Sequence, residues 1–503
     1  MPPSNSVASS RPLKIALVSS EVAPFAKTGG LADVVAALAR ALHRAGHDVR
    51  VILPAYRMLR AVSFDAEVDR ETPELELELP GDLCRIIARQ APLPNSERAD
   101  GTPLAVTFLD CPRLWHRDNY YTDDADEPLR WAAFARAAIE YCQRTSWAPD
   151  VFHANDWHAA LIPLLLRTRY AWDTLFRDTR TLLSIHNLGY QGVFPADAVE
   201  LMGLSEARPL LHQDHLQAGH VSLLETGVLY ADFLSTVSET YAREIQTPEH
   251  GMGMDELLRT RSDRLVGITN GIDAEEWNPA KDGYLAANYS ADDLSGKRIC
   301  RGALLDRFDL ASDDDALVMG VVSRMTAQKG FELLPEILTV VLQRENVRLV
   351  VLGSGEQRYE AYFQWLRDTF PTRVGVYFGY NEELAHQIEA GADLFLMPSR
   401  YEPCGLNQMY SLAYGTVPLV RHTGGLADTV QRWDPTESSG TGFVFYDFTA
   451  DALLATVGHA LEVWREPAAW ARLVQNGMAQ DVSWEHRSEE YVRLYRHILK
   501  LPR

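Results

Sequence analysis

Short β-branched and aliphatic runs recur along the chain, each ending in Gly, Asn, Asp or Ser and giving way to a segment whose apolar positions return every three or four residues. Buried strands alternating with amphipathic helices predict parallel sheets covered on both faces. In the first half the runs are Lys14 to Val18, Val49 to Leu53, Ala105 to Leu109, Val151 to His153, Leu182 to Ile185 and Phe233 to Val237. In the second half they are Leu317 to Val322, Val347 to Leu352, Leu394 to Met397 and Pro418 to Val420. The fold class expected is α/β, with two doubly wound, Rossmann-like sheets. Between the two series, Asn270 to Gly296 is rich in Gly, Pro and Asx residues, and the boundary is placed at its start. Residues 1–268 then form a first domain and 269–482 a second. Helical spacing returns over Ser483 to Leu499, through Tyr491, Leu494 and Ile498, so residues 483–503 are expected to complete the first domain.

A chain of 503 residues with 46% apolar content can bury more than one core. No apolar run approaches the length of a bilayer span; Ala159 to Leu166 is short and carries Pro163. Met1 to Pro12, rich in Ser and Pro, reads as a loose tail rather than a signal peptide. The five cysteines stand singly, which suggests neither a disulfide framework nor a Cys-x-x-Cys metal knuckle, and a reducing cytoplasm fits them. With 69 acidic against 48 basic residues, the formal charge of −21 argues against a nucleic-acid or anionic-membrane partner. A neutral polymer remains compatible. Any phosphate-bearing ligand must find its positive counter-charge locally.

One hexapeptide occurs twice: Thr28-Gly29-Gly30-Leu31-Ala32-Asp33 returns as Thr423-Gly424-Gly425-Leu426-Ala427-Asp428. Each copy follows a strand and opens a helix, where free N–H groups attract an anion; a tight turn needing small residues is the competing reading. Arg324 and Lys329 also sit between a strand and a helix, where a diphosphate would meet two cations. Glu402 lies past another strand, just before Pro403-Cys404-Gly405-Leu406. A carboxylate beside a phosphate site points to a ligand bearing hydroxyls next to phosphate, as a sugar nucleotide does. His153, Asp156, His158 and His186 cluster at further strand ends, but their spacing matches no common zinc set. Hydrogen bonding to a substrate hydroxyl or to backbone is the preferred reading.

Taken together, these segments resemble the bacterial glycogen synthases and their starch synthase relatives. The resemblance rests on Lys27 to Val34, Asn155 to His158, His186 to Gly192, Thr269 to Asp273, Arg324 to Gly330, Glu402 to Leu406 and His422 to Asp428, and it covers nearly the whole chain. It implies a retaining ADP-glucose-dependent glycosyltransferase of GT-B architecture, with two Rossmann-like domains facing each other across a cleft. It also implies a glycogen or malto-oligosaccharide acceptor and neither metal nor cofactor. Lys27 resembles a donor-binding lysine, with Gly29, Gly30 and Asp33 lining the cleft. His158 and Asn270 are similar to residues contacting the transferred glucose, and Arg324 and Lys329 to the pair on the distal phosphate. Glu402 resembles the catalytic glutamate, beside Cys404, Gly405, Leu406 and Asn407. Tyr380 is similar to a tyrosine that stacks on adenine, and Asp126 to an acidic cleft residue, although Glu127-Pro128 departs from the Asp-Asn pattern expected there.

Two other classes remain to be weighed. An NAD-dependent oxidoreductase would suit two doubly wound sheets, but Ser19 to Gly30 lacks the close Gly-x-Gly-x-x-Gly turn. A non-catalytic glucan-binding protein would keep the fold alone, and the joint presence of Arg324, Lys329 and Glu402 argues against it.

Overall fold

The computed structural model describes residues 11–61, 66–70 and 74–501, so the tail expected over Met1 to Pro12 lies, through residue 10, outside the described residues. The chain forms two compact units: Met1–Thr236 with Ile245–Ile268 and Arg487–Arg503, and Val237–Glu244 with Thr269–His486. Among the described residues no helix is long and apolar enough to cross a membrane.

In the first unit the sheet runs Leu265–Gly267, Phe233–Thr236, Arg180–Ile185, Val151–Asn155, Lys14–Val18, Asp48–Pro54, Ala105–Asp110, Asp82–Pro92 and Glu67–Val68. It is parallel from Leu265 to Asp110 and antiparallel beyond, where Asp82–Pro92 pairs with Ala105–Asp110 and with Glu74–Leu79. The wholly parallel expectation is corrected there. In Glu74–Leu79 the three leucines are buried and the three glutamates exposed, the period-2 pattern of a strand with one wet face. The helix Gly30–Arg44 buries Val34, Val35, Leu38 and Leu42 against the sheet. The last helix, Trp484–Ile498, is anchored where the Tyr495 hydroxyl meets His153 Nδ1 at 2.8 Å.

The second unit holds an all-parallel sheet in the order Val374–Phe378, Val347–Gly353, Leu317–Val322, Leu394–Met397, Val417–Arg421, Phe443–Phe445. One face of this sheet packs into a core that runs from Leu317 and Val351 to Phe443 and Trp470, drawn from alternate residues of each strand. The stretch Asn270 to Gly296, irregular in backbone, is held by side chains. Trp277 is stacked between His386 at 3.7 Å and Tyr410 at 3.6 Å, while Asp282 accepts from His386 at 2.7 Å and from Tyr414 at 2.6 Å. Burial alone would lower the His386 pKa, but its bonds to Asp282 and Glu382 outweigh that and lift it to about 9.

In each sheet the strand order reverses between two neighbours: Lys14–Val18 and Val151–Asn155 in the first, Leu317–Val322 and Leu394–Met397 in the second. Ligands of open parallel sheets bind outside the carboxyl ends of such strands. Those four ends deliver the motifs at Ser19, Asn155, Ser323 and Pro398.

Candidate functional site

At the first sheet's reversal, the loop leaving Val18 folds so that the buried Glu21 carboxylate meets the start of the helix Gly30–Arg44. It accepts from the Thr28 amide at 2.5 Å, the Thr28 hydroxyl at 2.7 Å, the Gly29 amide at 3.3 Å and the Tyr121 hydroxyl. Part of the anion-attracting potential expected of this turn is therefore met by the protein's own carboxylate. Gly29 itself has extended backbone (φ −162°), and a Cβ there would meet nothing within 4 Å. Neither strain nor packing requires glycine at this position. Lys27 lies beside the same turn with its ammonium 3.0 Å from Asp33 in the helix's first turn.

The adjacent strand end carries His158 on the short turn Asp156–Ala159. Its ring is buried among Trp157 at 3.9 Å, Trp131 at 4.5 Å and Tyr121 at 4.8 Å, and neither ring nitrogen has a hydrogen-bond partner among the described residues. Burial, aided by the Arg130 charge, pushes its pKa well below the ordinary histidine range, so the ring is neutral. A buried imidazole with two unmet nitrogens costs free energy unless a ligand meets them. Trp131 is held from behind: its indole N–H donates to Glu127 at 2.8 Å, and Glu127 also pairs with buried Arg130. Asp126, just before Glu127, instead pairs with Arg117.

The other histidines are internally engaged. His153 meets Tyr495 at 2.8 Å and Ser184 at 2.6 Å, and burial lowers its pKa to about 3. His186 meets Asn155 at 2.9 Å, and burial lowers its pKa to about 4. Asp156, in the left-handed region at φ 53°, accepts from the His186 amide at 2.7 Å, and burial raises its pKa to about 7. These residues order the strand ends rather than gather round one point.

In the second unit, the loop after Leu317–Val322 turns back at Gly330, whose φ is +73° and where a Cβ would lie 1.8 Å from the Pro398 carbonyl. Here glycine is required. That close approach brings Lys329 to the loop after Leu394–Met397: its ammonium is 2.5 Å from Glu402 Oε2, which also accepts from Ser399 at 3.1 Å. Glu402 is only 5% exposed. Arg324 is exposed, and its guanidinium has no hydrogen-bond or ion-pair partner among the described residues. Asn407 ties the two loops by donating to the Val322 carbonyl at 2.7 Å. Cys404 is buried, Gly405 takes φ +75°, and Leu406 precedes the helix Asn407–Ala413. Asn270 is 4% exposed, and its Oδ1 has no hydrogen-bond partner among the described residues. Tyr380 is 72% exposed.

The second Thr-Gly-Gly turn differs from the first. Gly424 has φ +43°, and a Cβ there would fall 1.9 Å from the Glu402 carbonyl; one on Gly425 would fall 2.2 Å from that of Cys404. The Gly424 amide goes to Glu244 at 3.1 Å and the Gly425 amide to the Glu402 carbonyl at 3.1 Å. This copy supports the Glu402 loop, so the tight-turn reading accounts for it. Sequence reasoning missed Glu21, Glu244, Tyr121 and Trp131, none of which belongs to a local pattern that would single it out.

Residues 14–260 match the family described as starch synthase catalytic domain, and residues 304–476 match glycosyl transferases group 1. The chain is 44% identical over 487 residues to a glycogen synthase of Koribacter versatilis, covering 96% of this chain and 98% of that one. It is 43% identical over 502 residues to a glycogen synthase of Thioalkalivibrio sulfidiphilus, covering 97% and 100%. Its fold is similar to the solved catalytic domain of starch synthase IV from Arabidopsis thaliana bound to ADP and acarbose, with a TM-score of 0.89 and 31% identity over 98% of this chain and 100% of that one.

Proposed function

Because this chain belongs to the glycogen synthase and starch synthase family of glycosyltransferases, we propose that it moves glucose from ADP-glucose to the non-reducing end of a glycogen-type α-1,4-glucan, with retention of configuration. The Arabidopsis relative was solved with ADP and acarbose, which supports an adenosine-diphosphate sugar donor and a glucan acceptor for this chain too. With no positive field overall, the donor's charge has to be met by a few placed cations, and the reaction fits a cytoplasmic setting.

The observation that carries the reading is the Lys329–Glu402 pair at the second sheet's reversal, next to the unpartnered Arg324. In the proposed reaction the 4-hydroxyl of the glucan's terminal glucose attacks the anomeric carbon as the bond to the diphosphate breaks. Arg324 and Lys329 stabilise the charge that grows on the leaving diphosphate, a contribution of about 3 kcal/mol or more for one well-aimed donor in a dry site. Glu402 then faces a sugar ring gaining positive character. Its Oε2 already serves Lys329 and Ser399, which favours an electrostatic role over that of a covalent nucleophile. Retention follows from attack on the face the diphosphate leaves. His158 and Asn270, with their buried unmet atoms, are assigned to the transferred glucose, and neutral His158 accepts or donates without carrying charge. Lys27 and Asp33, with Gly29 and Gly30, are assigned to the donor, and Tyr380 offers its open ring to the base. Cys404, Gly405, Leu406 and Asn407 form the backbone wall beside Glu402, and Asp126 is assigned to the acceptor side.

The test is glucose transfer to glycogen with ADP-glucose and UDP-glucose compared at matched concentrations. The reading expects a higher kcat/KM with ADP-glucose and product cleaved by an exo-acting α-1,4-glucosidase. A higher value for UDP-glucose overturns the donor assignment, and no transfer from either donor overturns the activity.

A further inference from the structure

A segment of the first unit gathers histidines that the proposed transfer reaction does not use. His212 precedes the short helix Gln213–Gln217, His215 lies within it, His220 opens the strand His220–Ser222, and Glu225 is buried in the first turn of the helix Leu223–Tyr230. The three imidazoles stand in a row: His212 and His215 have ring centroids 4.4 Å apart, and His215 and His220 4.6 Å apart. His215 Nδ1 is 2.9 Å from the Glu225 carboxylate. One donor atom each from His212, His215 and Glu225 lies within 4.8 Å of the other two. His212 Nδ1, shielded from solvent, has no hydrogen-bond partner among the described residues.

We propose that His212, His215 and Glu225 form a binding site for a divalent cation of the zinc class. Two imidazoles and one carboxylate are a donor set that borderline-soft cations accept in tetrahedral geometry. Glu225 offsets one of the two positive charges and removes the need for an anionic ligand from outside. His220 is the candidate for the fourth position, with water the alternative. The donors come from three successive elements, so a bound ion ties the segment His212–Gln217 to the helix Leu223–Tyr230. That helix packs on the turn bearing His158, where Gly227 leaves room for Ala160. The site is structural and takes no part in glucosyl transfer. A second acid and histidine group, Glu276, Glu382 and His386, is a poorer candidate because His386 is committed to Asp282.

The whole chain, stripped with a chelator and dialysed, is titrated with zinc chloride by calorimetry and with cobalt chloride by visible absorption. One site per chain is expected, with the intense cobalt bands of a tetrahedral ion and a zinc-dependent rise in Tm, since an ion that binds only the folded state stabilises it. Glu225→Gln, which preserves shape, and His212→Ala, at a partly exposed position, should each weaken binding beyond the roughly 10–100-fold typical of losing an outer partner. Both should abolish the rise in Tm, while circular dichroism stays that of the parent. The double variant Glu276→Gln/Glu382→Gln should bind as the parent does. No zinc site tighter than about 100 μM, an affinity near 5.5 kcal/mol, overturns the proposal. So does a tight site that survives both Glu225→Gln and His212→Ala, because other histidines then hold the ion.

Discussion

Replacing Glu402 by Gln should separate donor binding from turnover in opposite directions. The carboxylate lies 2.5 Å from the Lys329 ammonium, and the Lys329 side chain is 20% exposed. At that distance and an effective dielectric of about 20, two unit charges attract by roughly 7 kcal/mol before hydration is counted. Most of this is offset by the water each ion gives up, and the net for a hydrogen bond to a charged group is about 1.5–3 kcal/mol, with partial exposure favouring the lower end. On the proposed assignment, a donor phosphate shares or displaces Glu402 to reach Lys329. Removing the charge while keeping the volume relieves about 1.5 kcal/mol of that competition, so ADP should bind about tenfold more tightly. Turnover should fall by a factor of about 100 or more, because the negative charge facing the developing oxocarbenium is gone. Calorimetry with ADP and initial rates with saturating ADP-glucose read the two effects apart. If ADP binds tenfold more weakly in the variant, Glu402 positions Lys329 and does not compete with phosphate. If turnover is near that of the parent, the electrostatic role is wrong.

Three further outcomes follow from other parts of the structure. Lys27→Gln should raise the donor KM by roughly tenfold with a smaller change in kcat, since a cation facing phosphate acts in the ground state as well; an unchanged KM removes Lys27 from the donor site. Gly330→Ala should lower unfolding stability in urea by more than about 2 kcal/mol, from left-handed strain plus the overlap with the Pro398 carbonyl, and an unaltered midpoint refutes the geometry. Burial raises the folded-state pKa of Asp156 to about 7, so the folded chain holds that proton more tightly than the unfolded one. The stability it contributes is full below about pH 4, where both states are protonated, and is lost as pH rises through 7, up to about 4 kcal/mol. Asp156→Asn should flatten that decline, and parallel stability curves for the two proteins between pH 4 and 8 would show that Asp156 does not titrate there.

Most of the central strands were legible because hydrophobic runs bounded by turn residues carry their own ends; Lys14–Val18, Leu317–Val322 and Leu394–Met397 match the sequence reading residue for residue. The hairpin from Glu74 to Pro92 was not read, although Glu-Leu-Glu-Leu-Glu-Leu alternates plainly, because a search for parallel strands looks for continuous apolar runs. Positions fixed by distant contacts were invisible. Trp277, Asp282, His386 and Tyr414 lie up to 137 residues apart, so nothing local told that the irregular stretch after Asn270 is tightly tied down. The same holds for Glu21 and Tyr121, a hundred residues apart, and for Val237–Glu244, which packs with the second unit through Glu244 and the Thr423 turn. The residues assigned to the donor were legible because their spacing is local: Lys27 to Asp33 covers a loop and the first turn of one helix, and Arg324 to Lys329 a single loop.

The repeated hexapeptide has a consequence for how this sequence can drift. At Gly424 and Gly425 a side chain collides with the backbone that carries Glu402, so replacements there should be purged as loss of soluble protein, whatever the assay. At Gly29 the fold leaves the space open, and a Ser or Ala variant should accumulate to normal levels in cells. Identical letters in the two copies are thus expected to answer to different scores, yield at 424 and 425 and, on the proposed assignment, activity at 29. A library of single substitutions scored separately for yield and for polysaccharide made would divide the two Gly-Gly pairs, and equal tolerance at 29 and 424 in the yield score would mean that the crowding at 424 relaxes.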